Sequence, residues 1–252
     1  MKAPNYLLEV WKQFDSFPME TLTKAWYYQQ GTEKKQRDVS LMKEHRAQYG
    51  ISGNCFDLAI WLLEEYRKEG IEAYPIGSEI HTSRAHVAVI ALDEKGHRYL
   101  CDLGDQWIQP ILLDSNSENF TSGKLSGFFP GAEVEVNPKE EQVEIVYHRP
   151  NGKFSNQLYD LKPIEMKEFM EVAEISQRNI HPKPLVECRI PYKNETAHWE
   201  FYDWKSFWSS SEGLVEEETL HTTEEWAKRV SSKTGYDQGI VSQALNIYKG
   251  LK

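Results

Sequence analysis

Basic charge is what this 252-residue chain is short of: 29 lysines and arginines stand against 39 aspartates and glutamates, a formal net charge of -10. That deficit argues against the broad basic face by which proteins hold nucleic acid, and the acidity reads as solvated surface. Cysteine is scarce as well. Three residues (Cys55, Cys101 and Cys188) are an odd number and widely spaced, which argues against a disulfide framework and fits reduced thiols in a cytoplasmic protein. No apolar run is long enough to span a bilayer, and mean hydropathy is -0.64, so no membrane partner is expected. The opening Met1-Lys-Ala-Pro-Asn-Tyr-Leu-Leu-Glu9 has neither a long apolar stretch nor a small-residue cleavage site, so no signal peptide is expected. Internal repeats and low-complexity segments are missing. So are Cys-x-x-Cys, His-Glu-x-x-His, a glycine-rich phosphate loop and Gly-x-Ser-x-Gly. With no clustered ligands in the sequence, no metal is expected.

What is present is an ordinary globular composition, 40% hydrophobic and 27% charged, in a chain long enough for a sizeable core. Residues 5–30 carry apolar positions near the helical period, broken at Ser16-Phe-Pro18. Residues 33–48 are highly charged and read as a surface helix or loop. Residues 56–69 form the clearest helix, apolar over much of its circumference, with Gly70 as its stop. The pattern then turns to strands at 72–76, 85–92 and 98–103, with Asp93-Glu-Lys-Gly96 as a hairpin turn. More strands are predicted at 134–136 and 143–148, joined by polar turns such as Asn137-Pro138. A helix over 164–173 follows, then strand-like runs at 185–192, 199–204 and 214–220. Thr222-Thr-Glu-Glu225 is a capping box opening a helix through 230, and 238–249 is a final helix.

Chemistry concentrates in three places. Cys55 lies in Ile51-Ser-Gly-Asn-Cys-Phe-Asp-Leu58, a polar turn running into a helix, where orphan N–H groups and the dipole favour a thiolate. Gly53 lets the backbone turn tightly, and the nearby N–H groups could line an oxyanion site. His86 alternates with Ala88, Ile90 and Leu92 on one strand face. A hairpin centred on Glu94 sets it opposite Asp102, and a register shift of two leaves the pair diagonal but on one face. Taken singly, each residue reads as well as a core thiol, a satisfied core histidine or a hairpin-edge carboxylate. Together, in this order, they form the layout of a Cys-His-Asp triad, which implies covalent catalysis with an acyl group carried on sulfur. The expectation is a Cys55 ionised well below a free thiol. The aromatic run from His198 to Trp204 reads as core or as the lining of a pocket.

These segments resemble the arylamine N-acetyltransferases, a family with a motif of the type Arg-Gly-Gly-x-Cys-Phe-Glu, a histidine opening an apolar strand, and Tyr-Leu-Val-Asp-Val-Gly. The corresponding text is Ile51-Ser-Gly-Asn-Cys-Phe-Asp57, His86-Val-Ala-Val-Ile90 and Tyr99-Leu-Cys-Asp-Leu-Gly104. The likeness continues weakly through Pro163-Ile-Glu-Met-Lys-Glu-Phe169 and the helix at Trp226. It implies an α+β fold: an N-terminal helical bundle (1–72) with the cysteine, a central antiparallel β-barrel (73–163) with the histidine and aspartate, and a C-terminal α/β lid (164–252). It also implies acetyl-CoA as acyl donor, an amine-type acceptor and a ping-pong mechanism, with Cys55 as nucleophile, His86 as base and acid, and Asp102 as its orienter. Gly53, Phe56 and Asp105 are the expected substrate contacts. The chain departs from the motif at Ile51, Ser52 and Asp57, and at Asp105, which stands where the family has an apolar ring. Two other readings stay open: a transglutaminase-like thiol hydrolase or amide-exchange enzyme, and a non-enzymatic binding protein with a vestigial triad. Oligomeric state is not legible.

Overall fold

The computed structural model describes residues 1–251. The chain opens with four helices, α1 (Asn5–Lys12), α2 (Leu22–Tyr28), α3 (Val39–Tyr49) and α4 (Cys55–Lys68), with a two-residue strand β1 (Met19–Glu20) between the first two. The start of α4 is fixed by its own sequence. Asn54 Oδ1 accepts from the backbone N–H groups of Phe56 (3.0 Å) and Asp57 (3.2 Å), while Asp57 Oδ2 accepts from Asn54 N at 3.2 Å. This reciprocal cap satisfies orphan donors of the first turn.

An eight-stranded antiparallel sheet follows: β2 (Ala73–Ser78), β3 (His86–Leu92), β4 (Arg98–Cys101), β5 (Ile111–Leu112), β6 (Leu125–Phe129), β7 (Ala132–Pro138), β8 (Gln142–His148) and β9 (Phe154–Asp160). Its order is β5-β4-β3-β2-β9-β8-β7-β6. Ile108 N donates to Phe128 O at 2.8 Å, so the two ends nearly meet and the sheet is almost a closed barrel. Alternation explains the inward set on β8, where Val143, Ile145 and Tyr147 are buried. Helix α4 packs on β3, and the apolar side chains of both join one core.

Beyond α5 (Met166–Arg178) lies a second antiparallel sheet, β10 (Leu185–Tyr192), β11 (Glu195–Tyr202), β12 (Lys205–Ser210) and β13 (Gly213–Glu216), then α6 (Thr223–Thr234) and α7 (Gln238–Gly250). β1 pairs with β10, and α2 packs on α7. One face of this sheet, through Val186, Cys188, Trp199 and Phe201, joins Trp226, Val241 and Leu245 in a second core. No helix among the described residues is long and apolar enough to cross a membrane.

The α+β architecture and the β3–β4 hairpin stand as read from the sequence. Several boundaries move. Asn137 and Pro138 lie in β7, and the turn is at Lys139, whose N–H bonds Gln142 O at 2.8 Å. Strand β12 has no counterpart in the sequence pattern. Asp203 and Trp204, which read as the end of one strand, have φ of 47° and 64° and turn β11 back into it.

Candidate active site

Cys55 is the first residue of α4 and is half-buried; Cys101 and Cys188 are buried, and all three are free thiols. His86 is the first residue of β3. Val89 pairs with Cys101, and Ile90 with Leu100, a register two residues away from direct opposition of His86 and Asp102. The two therefore meet on the diagonal, with His86 Nε2 2.6 Å from Asp102 Oδ2. Asp102 follows the last residue of β4 and is fully buried. Its Oδ1 accepts from Asp105 N at 2.9 Å, and its Oδ2 also accepts the Tyr159 hydroxyl at 2.8 Å.

Gly104 marks where the three side chains converge. A Cβ there would stand 2.9 Å from Cys55 Cβ, 3.1 Å from Asp102 Oδ1 and 3.3 Å from His86 Cε1. Only glycine leaves that space open. Asp102 occupies Nε2, which leaves Nδ1 as the ring nitrogen able to exchange a proton with the thiol. The backbone N–H of Val87 reaches the sulfur.

The electrostatics correct one expectation. Burial pushes the Cys55 thiol up from its ordinary value, opposed by the His86 charge and reinforced by Asp102. The lowering effects of His86, Lys24 and the Val87 N–H do not outweigh desolvation. Burial would lower His86, but the Asp102 and Asp105 charges prevail and hold the imidazole well above its usual range.

The expected substrate contacts divide. Asp105 does reach the site: Oδ1 lies 3.8 Å from His86 Nε2, and Oδ2 accepts from Tyr147 at 3.2 Å. Burial pushes its carboxyl up, opposed by His86. Phe56 is instead a core residue, fully buried, with its ring 5.5 Å from Phe169. Gly53 is buried too; a Cβ there would collide with the Asp57 carboxylate, so glycine serves the helix cap. The absence of clustered ligands in the sequence also needs correcting, because folding brings ligand atoms of His86, Asp102 and Asp105 within 4.8 Å of one another.

Sequence reading misses the support around the site. Asp57 accepts from Gln36 Nε2 (2.9 Å) and Gln177 Nε2 (3.1 Å). It also pairs with Arg37 at 3.3 Å, both side chains of that pair being 2% exposed. Gln36 and Arg37 belong to a stretch that reads as charged surface. Tyr159 lies on β9, whose run Phe-Ser-Asn-Gln-Leu-Tyr-Asp has no apolar alternation to betray a strand. Tyr147 is detectable, since it continues the inward series of Val143 and Ile145.

A thiol, an imidazole and a carboxylate that converge around Gly104, at the junction of a helix and a barrel, are a candidate thiol-triad site. No protein-family model matches the chain, and no curated protein sequence matches it. Solved structures do. An arylamine N-acetyltransferase from Mycobacterium smegmatis superposes with a TM-score of 0.71 at 12% identity, covering 96% of this chain and 89% of its own. The enzyme from Salmonella typhimurium gives 0.68 at 13%, covering 91% and 86%. That from Mycobacterium marinum, solved in complex with CoA, gives 0.63 at 10%, covering 92% and 88%. The chain has the arylamine N-acetyltransferase fold.

Proposed function

We propose that the protein is a thiol acyltransferase that takes an acetyl or other acyl group from acyl-CoA onto Cys55 and passes it to an amine in a ping-pong cycle. The observation that carries this reading is the convergence of Cys55, His86 and Asp102 at Gly104. The CoA complex of the Mycobacterium marinum relative supports acyl-CoA as donor. In the first half-reaction His86 takes the thiol proton, sulfur attacks the thioester carbonyl, and CoA leaves as a thiol with that proton. Asp102 holds the ring in the tautomer this needs. The functional division follows the chain: 1–72 supplies the thiol, 73–163 the histidine and aspartate, and 164–252 covers the site. The three free thiols support a reducing, cytoplasmic setting.

Intact mass spectrometry after incubation with acyl-CoA thioesters of increasing chain length tests the reading. A single acyl adduct that maps to Cys55 and is absent from Cys55→Ala is expected. If no donor acylates Cys55, yet peptide electrophiles label it, the thiol-hydrolase reading replaces this one.

A further inference from the structure

Beside the triad lies a cavity of about 600 Å³ between the barrel and the second sheet. Asp105 and Tyr147 line it from the barrel, and Glu187, His198 and Glu200 from β10 and β11. Glu187 and Glu200 are direct partners across the two strands, an arrangement in which like charges destabilise the sheet. Little on the sheet relieves them. Arg189, next on the same face of β10, is spent on the carbonyl oxygens of Trp107 (2.8 Å) and Phe14. His198 Nε2, 3.9 Å from Glu187 Oε1, is a buried atom with no hydrogen-bond partner. Burial pushes that imidazole down to about 4, so it is neutral and offers no countercharge. Arg149 and Lys153, the basic residues of the lining, are both exposed on the barrel side. Arg149 lowers Glu200, but burial still pushes that carboxyl up to about 7. Burial, with Glu200 and Asp105, holds Glu187 well above the usual carboxylate range.

Glu187 and Glu200 face each other with basic side chains only at the rim, Asp105 beside them shares His86 at 3.8 Å with Asp102, and an unused imidazole nitrogen stands among them, so the wall holds more carboxyl groups than cations and one further cation would satisfy it. We propose, on the reading that Cys55 carries an acyl thioester, that the acceptor is an aliphatic diamine or polyamine whose distal ammonium is held by Asp105, Glu187 and Glu200. A buried carboxylate is costly until it is paired, so the ammonium gains what a neutral aromatic ring would forfeit. The proximal amine must arrive neutral. Its nitrogen lone pair attacks the thioester carbonyl, the C–N bond forms, and the C–S bond breaks with its electron pair going to Sγ. The proton lost by nitrogen passes through His86 to sulfur. One amine and one acyl-cysteine thus give one amide and one cysteine thiol.

The test separates the acceptor from the donor. Cys55 is acetylated with acetyl-CoA or with p-nitrophenyl acetate, and loss of the adduct is followed by mass spectrometry in 1,4-diaminobutane, butylamine, 4-aminobutyrate or aniline. Diaminobutane is expected to deacylate at least tenfold faster, as kcat/KM, than each of the others. In Glu187→Gln and in Glu200→Gln, made separately so that a packing fault in one does not decide the result, that ratio should fall to within threefold. Aniline as the best acceptor, or a preference that survives both substitutions, overturns the proposal. If no donor charges Cys55, the acyltransferase reading fails, and calorimetric titration of the uncharged protein with diaminobutane decides the cavity separately. Binding weakened tenfold or more by Glu200→Gln keeps it as a cation site. No binding, or binding indifferent to that substitution, removes it.

Discussion

Tyr159 and His86 share one oxygen of Asp102: the tyrosine hydroxyl donates to Oδ2 at 2.8 Å, and the imidazole Nε2 lies 2.6 Å from the same atom. With Asp105 N on Oδ1, the buried carboxylate is held by all three, and its orientation toward the histidine is set by the barrel rather than by the hairpin alone.

Removing the tyrosine hydroxyl should therefore loosen the aspartate without unfolding the barrel. A hydrogen bond to a charged group is worth about 1.5–3 kcal/mol, so Tyr159→Phe is expected to lower turnover about ten- to a hundredfold. Asp102→Asn, which gives the ring the wrong tautomer, should cost about 10⁴. Acyl-transfer rates with circular dichroism as the fold control measure both. Unchanged turnover in Tyr159→Phe would make the tyrosine a packing residue only.

The second carboxylate sets the pH profile. Asp105 helps to hold His86 well above its usual range, so the ring cannot accept the thiol proton until the pH rises through its raised value. Turnover should climb with pH on that limb. Asp105→Asn removes one raising charge, and the limb should move to lower pH. NMR titration of the His86 ring beside the pH–rate profile reads the shift; a limb that stays in place would show that the ring does not feel Asp105.

Cys55 should be the one thiol that reacts in the folded protein. Burial pushes both Cys101 and Cys188 up to about 12, and neither is open to solvent. Limiting iodoacetamide with peptide mapping should mark Cys55 alone, and denaturant should expose all three. Because burial raises Cys55 as well, its alkylation rate should inflect above the free-thiol value of about 8.5. An inflection below that would show that the helix start and His86 outweigh desolvation.

What the sequence discloses follows from how local each signal is. Cys55 at a turn-to-helix junction, His86 on an alternating strand and Asp102 at a hairpin end are each defined within a few residues, and the hairpin ties two of them together. The diagonal register is within reach of that reasoning, because a shift of two preserves the face. The supports are non-local. Tyr159 reaches Asp102 across 57 positions, and Gln177 reaches Asp57 across 120. Gln36 and Arg37 look like surface because nothing near them in sequence reveals the carboxylate they bury against. Phe56 misleads for the opposite reason: adjacency to the cysteine in sequence is not adjacency in space, since successive helical residues point about 100° apart. Glu187 and Glu200 sit on strands whose other face is apolar, and only the fold shows that their own face looks into a cavity.

Gly104 offers the sharpest test of the convergence. Its φ lies outside the left-handed region, so alanine is no strain on the backbone there; the obstacle is the triad itself, with Cys55 Cβ at 2.9 Å and Asp102 Oδ1 at 3.1 Å from the added carbon. Neither neighbour is the far end of a flexible chain: one is the first carbon of a cysteine fixed at a capped helix start, the other a carboxylate bonded on both oxygens. The methyl group must push them apart by a few tenths of an ångström or more. Misplacement on the 1 Å scale costs about 10² in rate, so Gly104→Ala is expected to lose turnover by about that factor with its thermal midpoint close to that of the native protein. Full activity in Gly104→Ala would mean that the three side chains do not work across this space.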